Sequence, residues 1–401
     1  MSRHALISGA SIAGPALALE LARRGWRTTI VERAPKLRDE GQNVDVKGAG
    51  REVLRRLGLV DAVAAATTGE RGLRFVDDEG RVLASFPVSE TDIGTVEYEI
   101  LRGELSRILV DRTSTVTDYR FDTRIEDLED RGDRVVATLS DGETLSADVV
   151  AIAEGLRSST RDLVLPDARI RELGMYCAYV TLPRTDTDDA WWNWHHALGR
   201  RSVHVRPDNL GTTRALLSFM TDVRGLETLD RADQATILRR TFADVGYAAP
   251  RILAALDDAP FYFDAIGQAR LPRWSAGRAV VVGDAAGCAS PISGMSTSIA
   301  LVGAHVLGGE LDRHDDHRTA VGAYESRVRP YVERAQRLTP GAPELGNPDT
   351  RLGRAGTLAF FRAMSHPLVS RAAGLLGRPS RPPADEIDLP ADDAPTAAVT
   401  S

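Results

Sequence analysis

Three short segments carry residue types at spacings suited to nucleotide chemistry. The first is Gly9-Ala10-Ser11-Ile12-Ala13-Gly14. Small residues at such a turn let a helix N-terminus approach a diphosphate, and exposed backbone N–H groups with the helix dipole then bind the anion. Ser11 stands at the middle glycine of the G-x-G-x-x-G pattern; it still permits close approach and adds a hydroxyl donor. The second segment is Glu32-Arg33, about twenty residues beyond the turn, where an acid hydrogen-bonds ribose hydroxyls. Its charge disfavours a 2′-phosphate, so this turn suits FAD or NAD rather than NADP. The third runs from Gly277 to Gly303, GRAVVVGDAAGCASPISGMSTSIALVG. It sets Asp284 at the end of an apolar strand, then small residues, Pro291 and a fresh helix N-terminus near Gly294. That is a second anion-ready crevice.

These residues need a parallel sheet to position them. His4 to Ser8 reads as a buried strand, Pro15 to Arg24 as a helix closed by Gly25, and Thr28 to Val31 as a second strand. Strand, turn, helix and strand make the start of a doubly wound α/β fold. Gly48 to Leu57 and Arg102 to about Asp111 read as further helices. Asp77-Asp78-Glu79-Gly80 and Asp141-Gly142 mark hairpins, and Asp148 to Ala153 is an apolar strand ending at Glu154-Gly155. From about Arg171 to Ala269 strand-like segments dominate (Tyr176 to Thr181, Arg201 to Arg206, Arg214 to Met220), with one helix near Ala232 to Val245. This predicts an inserted, mainly antiparallel sheet. Long helices follow, from about Gly294 to Leu311 and from about Arg318 to Leu338.

Bulk properties narrow the function classes. A length of 401 residues suggests two joined domains. Net charge is −7, which excludes a basic nucleic-acid surface. Cys177 and Cys288 are too few for a disulfide framework, and no metal-ligand spacing is present. No apolar run is long enough for a membrane span and the N-terminus lacks signal-peptide anatomy, so a cytoplasmic protein is expected.

In order and spacing the segments resemble the class A flavin monooxygenases, the fold of para-hydroxybenzoate hydroxylase, closest to the tetracycline-inactivating and polyketide-modifying branch. The resemblance spans about Met1 to Leu338. It implies FAD held by Gly9, Ser11, Ile12, Ala13, Gly14, Glu32 and Arg33 at the adenosine diphosphate end. Glu154-Gly155-Leu156-Arg157-Ser158, with Arg161 downstream, matches the family's Asp-Gly motif. Gly283, Asp284, Pro291, Gly294, Met295 and Ser296 match the segment along the ribityl chain and flavin ring. Leu101-Arg102 resembles the segment whose arginine reaches the phosphate and ribityl region. Gln42 to Gly48, with Asp45 and Lys47, resembles the loop beside the isoalloxazine, and Ile125 falls near the adenine.

The implied architecture is a discontinuous FAD-binding domain (1–70, 101–170 and 271–311), a substrate-binding sheet domain (71–100 and 171–270), C-terminal helices (312–378) and a disordered acidic tail (379–401). The implied reaction is NAD(P)H- and O2-dependent hydroxylation of an aromatic or polyketide-like molecule through a peroxyflavin, with NADPH or NADH a transient reductant lacking its own domain. The protein would act as a monomer or homodimer. Trp192, Trp194, His196, His204 and Arg206 are the substrate candidates: Trp191 to His196 is the most aromatic stretch, and His204 and Arg206 share a strand face by their period of two. No acid–base residue is assignable.

Two departures from the family stand out. Glu154 replaces an aspartate, and Gly294-Met295-Ser296-Thr297-Ser298 replaces Gly-Gln-Gly-x-Asn. They keep open two alternatives: a non-hydroxylating flavin oxidoreductase, or a non-redox binding protein on a degenerated FAD fold. The halogenase pattern Trp-x-Trp-x-Ile-Pro fails, because Trp192-Asn193-Trp194-His195 continues as His196-Ala197.

Overall fold

The computed structural model describes residues 2–38, 41–88, 98–365 and 387–391. The apolar run His4–Ser8 is buried throughout, as a strand covered on both faces must be. It sits inside a six-stranded sheet ordered Ser275–Ala276, Ala279–Val281, Val149–Ile152, His4–Ser8, Arg27–Val31, Thr117–Arg120. All neighbours pair in parallel except the first two strands. The alanine-rich helix Ala13–Ala22 lies between this sheet and the helix Ser296–Arg313. Alanine and glycine let the two helices close up: a Cβ on Gly308 would stand 2.8 Å from the Cβ of Glu20. An antiparallel meander, Ile125–Asp130, Val135–Leu139 and Thr144–Ala147, leads back into the parallel sheet.

The second body is a seven-stranded sheet ordered Phe261–Arg270, Arg169–Pro183, Thr212–Met220, Arg201–Pro207, Trp192–Ala197, Gly72–Val76, Val82–Pro87. Only Trp192–Ala197 and Gly72–Val76 run parallel. Alternation divides its side chains. Tyr176, Leu217, Phe219 and Phe263 pack on one face against the helices Arg231–Thr241 and Ala249–Ala255. On the other face Met175, Cys177, Met220 and Ile266 cluster with Ile292 of the third segment, so the sheet's inner face meets the cofactor-type loop. The α/β fold with an inserted, mainly antiparallel sheet and C-terminal helices is as expected from sequence.

Some details differ. The Asp284 segment forms one helical turn, Asp284–Gly287, before its loop. The helix His317–Ala335 carries Pro330 in its interior. A helix Arg351–Met364 lies on the strand Val82–Pro87, with Phe361 stacked on Phe75 at 4.3 Å. The tail expected to be disordered contains a docked piece: Ile387 and Leu389 pack on the core, and the Pro390 carbonyl accepts a hydrogen bond from Arg56. Apolar residues spaced by one in Ile387-Asp388-Leu389-Pro390 supply the contact. The rest of 379–401 lies outside the described residues.

Candidate active site

The two glycine turns meet. Gly9 has φ +110° and Gly283 φ +63°, both in the region that favours glycine. A Cβ on Gly9 would lie 2.5 Å from the Ala153 carbonyl oxygen, and one on Gly283 would lie 2.8 Å from the Ala13 Cβ. The Gly9 turn is therefore packed against the strand end that leads into Glu154, and the Gly283 turn against the helix start that follows Gly9. Gly14 has the same constraint within its turn, its Cβ position being 2.0 Å from the Gly9 carbonyl oxygen. Ile12 and Ala13 are buried behind it.

Around the first turn a small pocket is lined by Ala10, Ser11, Glu32, Leu37, Arg38 and Arg102. Glu32 accepts from the amides of Ala10 (2.9 Å) and Ala34 (3.0 Å). A carboxylate has about four acceptor positions, so capacity remains for two ribose hydroxyls. Arg102 opens the helix Arg102–Thr113 and its Nη1 donates to the Ser11 hydroxyl at 3.1 Å. Its guanidinium thus lies at the mouth of the turn. Arg33 is exposed and outside this lining; Arg38, which the sequence did not single out, is in it. Ile125 is buried at the start of the meander, two residues from Thr123, whose amide bonds the Glu32 carbonyl at 3.0 Å.

At the second turn the Asp284 Oδ1 is sealed from solvent and makes no hydrogen bond. Burial pushes this carboxyl above its ordinary range, with Ser296 and Cys288 opposing in part. An unpaired acceptor in such a place is costly unless a partner arrives. A ribityl hydroxyl is a fitting partner. Pro291 is exposed, Met295 is buried, and Gly294 (φ +62°) lets the Lys47 ammonium come within 3.0 Å of where a Cβ would be. Lys47 pairs with Asp45 at 3.1 Å. Ser298 holds this loop to the long helix: its hydroxyl accepts from the Lys47 amide (2.9 Å) and donates to the Lys47 carbonyl (3.0 Å).

Glu154 is differently placed from the expected cofactor contact. Its carboxylate accepts from the Ser8 hydroxyl, from Ser158 Oγ (2.6 Å) and from Thr160 N (3.1 Å) and Oγ1 (2.5 Å). Those four donors use its acceptor capacity, committing it to the protein. It ties the end of the first strand to the helix Ser159–Val164. Arg161, beyond it, is buried and its Nη1 donates to the Leu156 carbonyl at 2.7 Å.

The five substrate candidates all fall on the inner sheet face. The register sets Trp192, Trp194 and His196 opposite Arg206, His204 and Ser202. The Trp192 indole is a donor only, so His204 Nδ1, 3.0 Å away, accepts. The imidazole is then neutral, with its proton on Nε2 pointing at Ser202 Oγ (2.9 Å). Ser202 bonds Ser218 at 2.8 Å, and Ser218 donates to Asn347 Oδ1 at 2.6 Å. Burial holds the His204 pKa well below its ordinary value, in keeping with that tautomer. Trp194 Nε1 and both His196 ring nitrogens are buried without a protein partner. Burial pushes His196 down to about 3, so it too is neutral.

Arg206 lies over the Trp192 ring at 4.2 Å and bridges Glu70 (2.7 Å) and Glu99 (3.1 Å). Burial alone would lower the Arg206 pKa; its two carboxylates outweigh that and raise it. Burial also pushes Glu99 up to about 8 against the pull of Arg206. Glu70 and Glu99 were missed in the sequence because both read as ordinary surface acids; only the sheet packing buries them.

The family of FAD binding domains matches residues 3–339. The flavin-dependent monooxygenase eupH of Phoma sp. is 36% identical over 402 aligned positions, covering 91% of this chain and 93% of that protein. The crystal structure of the tetracycline destructase Tet(51) superposes with a TM-score of 0.79 at 28% identity, covering 98% of this chain and 99% of that one. Klebsiella pneumoniae HpxO complexed with FAD and uric acid shares the fold, with a TM-score of 0.72 at 20% identity over 90% of this chain and 92% of its own. With both glycine turns, the Glu32 carboxylate and the unpaired Asp284 oxygen in place, this chain belongs to the class A FAD-dependent monooxygenases.

Proposed function

We propose that the protein is an NAD(P)H- and O2-dependent hydroxylase of an aromatic or polyketide-like small molecule. The observation that carries this is the meeting of the Ile292 loop with an inner sheet face that holds stacked aromatics and unpaired buried donors. When bound, FAD supplies the redox chemistry, passing electrons from the nicotinamide to O2 so that one oxygen atom reaches the substrate.

The residues of the chain bind and orient. Amides of the Gly9 turn and the Arg102 guanidinium hold the diphosphate, Glu32 the ribose, and Asp284 a ribityl hydroxyl. The first-turn amides of the helix Ser296–Arg313 face the ring edge and favour negative charge there. Asp45, Lys47 and Gly294 flank the ring. Trp192 and Trp194, stacked on each other at 5.5 Å, form the aromatic side of the substrate site. The Trp194 indole and the His196 imidazole each offer one N–H to a substrate oxygen. Neutral His204 holds Trp192 in place.

The test is a panel of phenols and polyketide-type aromatics with purified, FAD-supplemented protein. Substrate-dependent NADH or NADPH oxidation and a product heavier by one oxygen atom are expected. Retained flavin with no substrate-stimulated oxidation across the panel would refute the hydroxylase assignment.

A further inference from the structure

A second cleft, of about 590 Å³, is walled in part by Ala286 of the Asp284 turn and by the end of the strand Phe261–Arg270. Arg169, Arg270 and Arg337 line it; no ion pair to a carboxylate is found for any of them among the described residues, and Arg169 Nη1 donates to the carbonyls of Pro166 and Ala168. Some other arginines are matched by carboxylates: Arg157 meets Asp264, Glu172 and Glu227, and Arg107 meets Glu104 and Asp111. Arg329, also in the lining, is paired with Glu325 and lies over Trp274. Two acids share the rim, Glu333 and Asp167, the latter paired with Arg273 at 3.4 Å. Three guanidinium groups without a carboxylate partner in one concavity, in a chain of net charge −7, make a local excess of positive charge.

The back wall links this cleft to the cofactor segment. Arg270 donates to Gln268 Oε1 at 3.0 Å. Buried Gln268 donates to the Ala289 carbonyl (3.3 Å), and buried Gln336 donates to the carbonyls of Ala269 (2.7 Å) and Cys288 (3.1 Å). Ala286, inside the Asp284 turn, forms part of the wall.

We propose that this cleft binds a phosphate-bearing small molecule, with Arg169, Arg270 and Arg337 holding its anionic oxygens. Planar guanidinium forks match phosphate oxygens in pairs, and three of them favour a multiply charged group over a single carboxylate. The volume exceeds that of a diphosphate and leaves room for an organic portion. Occupancy competes for the Arg270 donors that now hold Gln268, so it reaches the carbonyls on which the Asp284 segment rests.

The experiment is calorimetric titration of FAD-loaded protein with inorganic pyrophosphate and, separately, with ADP. Saturable one-to-one binding without flavin release is expected. Weakening of at least tenfold is expected in Arg270→Gln/Arg337→Gln, with a smaller loss in Arg169→Gln. Tighter ADP than pyrophosphate would identify a nucleotide as the source; equal affinity would identify the phosphate alone. If the protein retains no flavin, the Gly9 turn offers a second site, and the double variant is then expected to bind at one site where wild type binds at two. Absence of saturable binding, or equal affinity in wild type and double variant, would overturn the proposal.

Discussion

Glu154→Asp separates two accounts of the second motif. If Glu154 were a cofactor contact set one methylene too long, restoring the family's aspartate would tighten FAD. The structure argues the reverse. The carboxylate is held by Ser8 on one side and by Ser158 and Thr160 on the other. Withdrawing it by about 1.5 Å, one C–C bond, leaves it able to reach only one side. About two charge-assisted hydrogen bonds are lost, at roughly 1.5–3 kcal/mol each. Glu154 is half-buried, so water recovers part of this, and the net loss should be about 2–4 kcal/mol. In a chain of this size that corresponds to roughly 2–5 °C in Tm. Differential scanning fluorimetry gives the stability, and flavin fluorescence quenching gives the FAD affinity. The expected pair of results is a lower Tm with FAD binding no tighter than wild type. Unchanged Tm together with tighter FAD would refute the assignment of Glu154 to the protein.

Arg206→Met should destabilise by about 3–5 kcal/mol by removing the cation that bridges buried Glu70 and Glu99, and Glu70→Gln/Glu99→Gln on that background should recover much of it; chemical denaturation of the series decides. Ser298→Ala removes both ties to Lys47 and should weaken FAD about three- to tenfold in a fluorescence titration, with a change under twofold counting against the tie. Below pH 6.5 the unfolded chain protonates its histidines while His196, held near 3 by burial, stays neutral. Stability from this group is therefore whole above pH 6.5 and falls with pH, by about 1.4 kcal/mol at pH 5.5. Buried His4, His195 and His204 act in the same direction, and Glu99, raised to about 8, acts in the opposite one. His196→Phe should flatten the stability profile between pH 7.5 and 5.5 relative to wild type; an unchanged slope would contradict a neutral buried imidazole.

The four central strands of the first sheet were legible because they are short apolar runs with glycine nearby; the edge strands Thr117–Arg120 and Ser275–Ala276 are short, polar and partly exposed, and carry no such signal. Legibility failed where packing overrode local pattern. Trp192–Ala197 is an interior strand of the larger sheet, yet its aromatic and imidazole residues show no apolar–polar alternation, because both faces are covered. Phe261–Arg270 holds Asp264, Gly267 and Gln268, residues poor in strand propensity. Gly267 is explained by close approach: a Cβ there would lie 3.0 Å from Ile170 and 3.2 Å from the Arg171 carbonyl oxygen. The Arg351–Met364 helix covers a patch that no local sequence signal announces.

The departures from the family pattern are also informative by what fills them. A degenerated site would leave its former hydrogen-bonding partners unmatched. Here Ser298, at the family's asparagine, makes two bonds to the Lys47 backbone, and Gly50 supplies the room, since a Cβ on it would lie 2.9 Å from the Ser298 hydroxyl. Glu154, longer than aspartate, has Ser8, Ser158 and Thr160 around it as hydroxyl donors. Substitutions matched by local partners keep the geometry of a working site. Among the buried groups left without partners are Asp284 Oδ1, in the turn proposed to meet the ribityl chain, and Trp194 Nε1 and the His196 nitrogens, on the sheet face proposed to meet substrate; others, such as Trp26 Nε1 and His317 Nε2, lie away from both. Buried polar atoms without partners persist in a folded chain when a ligand completes them. The matched partners of Ser298 and Glu154, with Asp284 Oδ1 left open in its turn, favour an FAD-using enzyme over a scaffold that has shed its cofactor.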